Sequence, residues 1–490
     1  MFSSFVSTSS FGFWIITLYA TQAAQAAGGG GARPSSSLTT KKAKSDDDKC
    51  IYNPPGPLVP HKHHKKQCSL LVDDETTILR GVNWEPWDFA PTCFLSKPPK
   101  NPNGKIKASS SRKKKKMCVY TTRQTWTGGA LSVVTTPAVA SHLASYLFDN
   151  PAVPWLENDR GGIPFSLPKT SPPPYEVEEI PNKGKGVVAK RVIKEGELLM
   201  AEMPLIMSML DGYEDYEAKD FLKLLKRGAE QLGEREKGEM LGLARKGKEK
   251  GNGNGKGQAG GYSVVMDLIN TNSFRVQVAG RGHSGVYPRV ARINHACKPN
   301  CFTRYSPSTL MMEVVAYRDI QPGEELSISY APLNMLTKDR RALLQAWGFN
   351  CTCSLCADPA ASKRSDIQRA RIQQILEELD RPEGRTPEKL IANIKEVEEL
   401  AHKEGMTAQI GDLYGIIANI FLEIGEPEKA REYSRIAVRN LRWYAGFDSE
   451  RAEDAMAFRD KLDGKETKGG KGTEERRDAA DSDLRVFAVE

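Results

Sequence analysis

Three cysteines spaced C-x-C-x-x-C, at Cys351, Cys353 and Cys356, are the residues of this chain best suited to metal chemistry. Their thiolates can reach one ion from a tight turn, but they supply only three of the four ligands that a closed tetrahedral zinc site takes. Cys297, within Asn294-His295-Ala296-Cys297-Lys298-Pro299-Asn300, is the best fourth ligand. Recruiting it draws the cysteine turn against the Asn-His pair and places both motifs in one site. Disulfides are the competing use, and cysteines two or three residues apart in a tight turn are poor partners for one. No Asp or Glu cluster points to magnesium or calcium.

Positioning these groups requires strands and turns on either side. Residues 313–332 read EVVAYRDIQPGEELSISYAP, with a turn at Pro322-Gly323 ahead of a strand that ends near Tyr330. Upstream, from Tyr175, alternating Val and Ile residues argue for strands joined by glycine turns, with Gly184 and Gly186 flanking Lys185. Glycine at such a place lets backbone approach a ligand without steric conflict, although a lone G-x-G is commonly only a hairpin turn. Asp215 to Arg245 carries Phe221, Leu222, Leu224 and Leu225 on a helical repeat, followed by a Gly and Lys linker through Gly261. The chain then re-enters the β region at Asp267 to Phe274. Beyond Cys356 the period becomes 3.6, in Ile410, Leu413, Tyr414, Ile417, Ile420 and Phe421, and again in Ala430, Tyr433, Ile436, Ala437 and Leu441. Thr386 is placed as an N-cap with Pro387 at the first helical position, and Pro427 takes that position in a later helix.

Taken in order, N-H-x-C-x-P-N at Asn294 to Asn300, E-L-x-x-x-Y at Glu325 to Tyr330 and the cysteine cluster at Cys351 to Cys356 resemble the SET-domain protein-lysine methyltransferases. The similarity runs from about Tyr175 to Cys356, and more loosely through the helices that follow. It is nearest the SET and MYND type, but no Cys or His lies between Tyr175 and Gly282, so the MYND finger is missing. The resemblance implies an α+β chain: a SET-like β fold with a post-SET zinc site, followed by an all-α helical-repeat domain similar to tetratricopeptide units. It implies methyl transfer from S-adenosylmethionine to a lysine of a protein substrate. Tyr330 is then the catalytic residue and also faces the cofactor with Gly184, Gly186, Asn294, His295 and Phe349, while Cys297, Cys351, Cys353 and Cys356 bind zinc. Plain packing is the competing reading for Tyr330 and Phe349, and turn formation for Asn294 and His295. Cys301 has no part in the metal set and reads as a small buried apolar residue. The alternative to an enzyme is a scaffold in which the SET fold and helices make protein contacts without catalysis. In either case the C-terminal helices offer a surface for peptide contact.

The rest of the 490 residues is less informative. A mean hydropathy of -0.49, with 42 glycines and 29 prolines, points to long linkers around a core. The net charge of +8 sits in lysine runs at Lys62 to Lys66, Arg112 to Lys116 and Lys246 to Lys256, which read as solvated linkers and mark no clear nucleic-acid site. Residues 1–27 hold an apolar run, Phe11 to Ala20, followed by Ala24-Gln25-Ala26, as in a signal peptide, although no Lys or Arg precedes it; a disordered leader is the alternative. The run is too short to span a bilayer, and no transmembrane span is expected elsewhere. The leader points to the secretory route and the central motifs to cytoplasm or nucleus. Residues 28–116 read as largely disordered. Cys50, Cys68, Cys93 and Cys118 form two disulfides in one of three pairings or stay as free thiols, and His61, His63 and His64 lie in a lysine-rich linker. Residues 117–170 read as a small accessory region of two strands and a helix, set off by the stiff Pro172 to Pro174 run. The SET domain occupies 175–356 with an insert at 211–262, the helical domain 364–460, and a charged tail 461–490.

Overall fold

The structure is a computed structural model, and it describes residues 87–96, 115–147, 172–211, 215–245, 262–345, 347–381 and 383–464. The leader, Cys50, Cys68, the histidines near them and residues 465–490 of the tail lie outside the described residues, while the start of the range read as tail is the last turn of the helix Glu450–Leu462. No helix among the described residues is long and apolar enough to cross a membrane.

Three sheets followed by a run of helices make up the described chain. One sheet has the order Thr92–Leu95, Lys116–Thr122, Leu131–Thr135, Ile206–Met209, Arg281–Val286, Ser273–Val278. A second runs Asn294–His295, Glu325–Ile328, Gly184–Ala189, Tyr175–Ile180, and a third Cys301–Tyr305, Met312–Ala316, Leu198–Glu202. This is the mixed α+β arrangement expected: a β-rich region, then helices from Pro359–Asp380 to Glu450–Leu462.

Residues 116–147 depart from the accessory region expected. Leu131–Thr135 pairs in parallel with Ile206–Met209, so these strands complete the central sheet and form no separate core. The period-2 alternation of a strand divides them between two cores. Cys118, Tyr120, Leu131 and Val133 join Val187, Leu199, Tyr287, Val314 and Leu326 on one side. Met117, Val119 and Val134 face Phe221, Leu224, Leu225 and Leu268 of the helices Ala218–Gln231 and Tyr262–Asn272 on the other. Both faces are covered, which is why the stretch reads as continuously apolar. Pro174 is buried and its carbonyl accepts from the Lys190 N–H, so the last proline of the supposed linker belongs to the fold. Within the range read as largely disordered, Thr92–Leu95 forms an edge strand, and a disulfide joins Cys93 to Cys118 across the pairing.

The insert, where one or two helices were expected, holds two, Ala218–Gln231 and Glu234–Leu241. Re-entry differs: helix Tyr262–Asn272 continues through Asp267, and the strand starts only at Ser273. Asn272 explains the switch, since its side-chain amide donates to the Leu268 and Ala244 carbonyls at 2.8 Å each and ties the helix end to the far side of the insert.

Thr386 caps Pro387–Glu404 by accepting from the Lys389 N–H, and Gly405, with φ +67, ends that helix in the left-handed conformation. Gly411–Glu423 and Pro427–Tyr444 pack as a pair across Gly425, with Phe421 and Tyr433 stacked at 5.3 Å. The pair is seated on the third sheet. Arg304 makes a buried 2.6 Å ion pair with Glu313, donates to the Trp443 carbonyl at 2.6 Å and lies over the Trp443 ring, while Phe302 meets Tyr444 at 5.0 Å.

Candidate active site and metal centre

The Asn294-His295 pair is held by a two-residue parallel bridge, Asn294 to Ser327 and His295 to Ile328, which brings it beside the strand leading to Tyr330. Asn300 locks the same crossing. Its Oδ1 accepts from the Ser327 N–H at 2.7 Å and its Nδ2 donates to the Glu325 carbonyl at 2.9 Å.

Asn294 Nδ2 donates to Glu325 Oε1 at 2.9 Å and to the Lys185 carbonyl at 3.3 Å, and Glu325 in turn pairs with Lys183 at 2.6 Å. Gly186 is what permits this. A Cβ there would lie 2.6 Å from Ile180 Cγ1, 2.8 Å from Asn294 Nδ2 and 2.9 Å from Glu325 Oε1. Within the protein, then, the bare backbone at Gly186 makes room for Asn294. Gly184 has φ +71 and open space around it, so it serves the turn. Gly186→Ala should lower stability by about 1–3 kcal/mol, the usual range for forcing a methyl into packed surroundings, with a fall in Tm as the readout. An unchanged Tm would mean that the Asn294 contact is dispensable.

His295 is buried and joins the two halves of the site. The Tyr330 N–H donates to its Nδ1 at 2.9 Å, so Nδ1 carries no proton and Nε2–H points at Cys297 Sγ, 3.3 Å away. Burial pushes its pKa down to about 4, which keeps the ring neutral in this tautomer. A neutral N–H donor suits a cysteine sulfur that carries negative charge.

Tyr330 is half-buried, and its hydroxyl donates to the Ile293 carbonyl at 2.7 Å. Burial pushes the phenol well above its ordinary range, so it stays protonated. Three rings surround it: His295 at 5.4 Å, Trp347 at 6.1 Å and Phe349 at 6.3 Å. Trp347 was not singled out in the sequence. Its only signal there is an aromatic two residues before Phe349, and Gly348, with φ +86, supplies the turn between them.

Cys297, Cys351, Cys353 and Cys356 converge, their sulfurs all within 4.8 Å of one another. Cys297 Sγ lies 3.7 Å from that of Cys351 and 3.5 Å from that of Cys356. A tetrahedral zinc with bonds of about 2.3 Å sets its sulfurs roughly 3.8 Å apart, so the donor set and its spacing fit that ion. Cys301 stands apart from the cluster, fully buried, with its thiol pushed up to about 12 by burial.

Residues 184–331, which carry Gly184 and Gly186 at the start of a strand, the Asn294-His295 pair and Tyr330, match the family described as SET domain. The chain carries a SET domain. This SET domain has named relatives among lysine methyltransferases. The chain is 26% identical over 282 residues to the histone-lysine N-methyltransferase set5 of Schizosaccharomyces pombe, a span of 56% of this chain and 81% of that protein. It is 32% identical over 115 residues to the N-lysine methyltransferase SMYD2 of Homo sapiens, and 35% identical over 115 residues to SMYD2-A of Danio rerio. Those matches cover 23% of this chain and 25% of each relative, so the chain spans about a quarter of the SMYD2 proteins' length.

Proposed function

We propose that the chain transfers a methyl group from S-adenosylmethionine to a lysine side chain of a protein substrate. The observation that carries this reading is the set of rings around Tyr330, joined through neutral His295 to the four-cysteine cluster, within a segment that matches the SET domain. S-adenosylmethionine supplies an electrophilic methyl on a cationic sulfonium. The task left to the protein is to bring a neutral amine in line with that methyl, and positioning of this kind is worth several kcal/mol.

Aromatic faces are suited to this work. Tyr330, Trp347 and Phe349 offer apolar, electron-rich walls that attract a cation without supplying a carboxylate to keep the lysine protonated. Exclusion of water beside a positive charge lowers the amine's pKa from about 10.4. Asn294, His295, Gly184 and Gly186 are the residues assigned to the cofactor, with Phe349 against it. Tyr330, its hydroxyl anchored on the Ile293 carbonyl, is assigned to orient the methyl group or the amine.

Zinc in the cysteine cluster has a structural role in this reading. All four ligands come from protein, so no coordination position is left open for chemistry. The ion would join the Asn294 to Asn300 segment to the 351–356 turn and so hold Phe349, two residues from Cys351, near Tyr330. The tetratricopeptide-like character of the helices, and partner contact through them, belong to the same proposal. They are supported by the paired helices Gly411–Glu423 and Pro427–Tyr444 and by their 3.6-residue apolar period.

Titration calorimetry with S-adenosylmethionine tests the cofactor assignment. The purified chain should bind it, and Asn294→Ala should weaken binding by about tenfold, on the order of one lost polar contact. A chain that binds no S-adenosylmethionine would leave a protein-contact scaffold as the reading.

A further inference from the structure

Arg369, in the middle of Pro359–Asp380, is fully buried, which is uncommon for an arginine in a helix that could pack with aliphatic side chains. Its Nε donates to Glu404 Oε2 at 2.9 Å, in an ion pair whose side chains are 0% and 6% exposed. The other end of the guanidinium leaves the helical region. Nη2 donates to the Cys297 carbonyl at 3.0 Å, and Nη1 donates to the carbonyls of Leu333 and Met335. Cys297 is two residues past His295 and Leu333 is three past Tyr330. One planar group therefore spans the two segments that carry the site.

Glu404 is the last residue of Pro387–Glu404 and is itself fixed, accepting from Ser365 Oγ at 2.6 Å. A second tie runs between the same helix end and the same segment. Lys298 Nζ donates to the Lys403 carbonyl, and a Cβ on Gly405 would lie 3.3 Å from Lys298 Cγ. Two independent contacts thus seat the end of this helix on the residues flanking Cys297.

We propose that Arg369 and Glu404 form a positioning pair through which the helical region holds the four-cysteine centre and the Asn294-His295 turn. The proposal rests on reading that centre as a zinc site. Orientation explains the pair better than stability does, since buried ion pairs can often be replaced by apolar residues at little cost, whereas a guanidinium fork fixes several acceptors at once. Arg369 acts on Cys297 through its backbone carbonyl, the position from which an outer partner orients a metal ligand.

The test is the rate at which a competing chelator extracts zinc from the folded full chain, at a temperature well below unfolding, with zinc per chain measured first. Arg369→Lys keeps the charge and loses the fork, and should release zinc about tenfold faster than the unmodified chain, the lower end of the range for outer-sphere partners. Glu404→Gln keeps the shape and loses the charged partner, and should speed release by a smaller factor. Glu399→Gln, which removes an exposed ion pair with Lys403 on the same helix, should leave the rate unchanged. Equal release rates for Arg369→Lys, Glu404→Gln and the unmodified chain would overturn the positioning role, even if Tm fell. An unmodified chain that carries no zinc would overturn the metal reading, and the pair's role with it.

Discussion

Replacing Cys353 with serine should strip the protein of its metal and weaken cofactor binding together. The unmodified chain should carry about one zinc, since its four sulfurs already stand close to tetrahedral spacing. Metal binding at such sites contributes on the order of 10 kcal/mol to folding. Losing one of four ligands should therefore leave substoichiometric zinc and a clearly lower Tm. Cofactor affinity should fall as well, by at least about tenfold, because His295 reaches toward Cys297 and accepts the Tyr330 N–H. Elemental analysis and calorimetry on the same preparation check both parts. A metal-free Cys353→Ser protein with full cofactor affinity would show that the cluster and the Asn294-His295 turn are independent.

The second large effect is expected at Tyr330. Tyr330→Phe keeps the ring among His295, Trp347 and Phe349 and removes only the hydroxyl that donates to the Ile293 carbonyl. Loss of that bond should cost about 1–2 kcal/mol of stability. S-adenosylmethionine should bind almost as before. The rate of methyl transfer should drop on the order of a hundredfold, or the product pattern should change, because a group used mainly in the transition state affects turnover more than ground-state affinity. Single-turnover transfer, followed beside Tm and cofactor affinity, separates these effects. An unchanged rate with an unchanged product pattern would remove the hydroxyl from the mechanism.

How much of this was legible in the sequence depends on how local each signal is. Cys351, Cys353 and Cys356 announce a metal turn by spacing alone, and Cys297 follows because a tetrahedral ion wants a fourth ligand; the structure brings all four together. Thr386 with Pro387, and the apolar period through Phe421, place helices from residues that touch within a turn or two. Non-local pairings were not legible. Nothing in Leu131 to Thr135 says that it will pair with Ile206 to Met209, so the region read as a separate accessory unit instead of part of the central sheet. The Cys93–Cys118 bridge was one of several pairings open to four cysteines. Trp347 looks like any core aromatic until Tyr330 is seen beside it. Arg369 lies in a charged helical stretch, where an arginine ordinarily reads as a solvated face; only the tertiary structure shows it buried on the Cys297 carbonyl. The glycine at 186 was expected to open backbone to a ligand; what the tertiary structure shows beside it is the side chain of Asn294.

The reaction proposed for this chain is methyl transfer to lysine. The most direct measurement is incubation of the purified full chain with methyl-labelled S-adenosylmethionine and a whole-cell extract, followed by acid hydrolysis of the protein fraction and separation of the labelled amino acids. Label should appear in methylated lysine, strongly reduced when Tyr330→Phe replaces the unmodified chain. Label confined to other amino acids, or no label from a chain that carries its zinc and binds the cofactor, would contradict it.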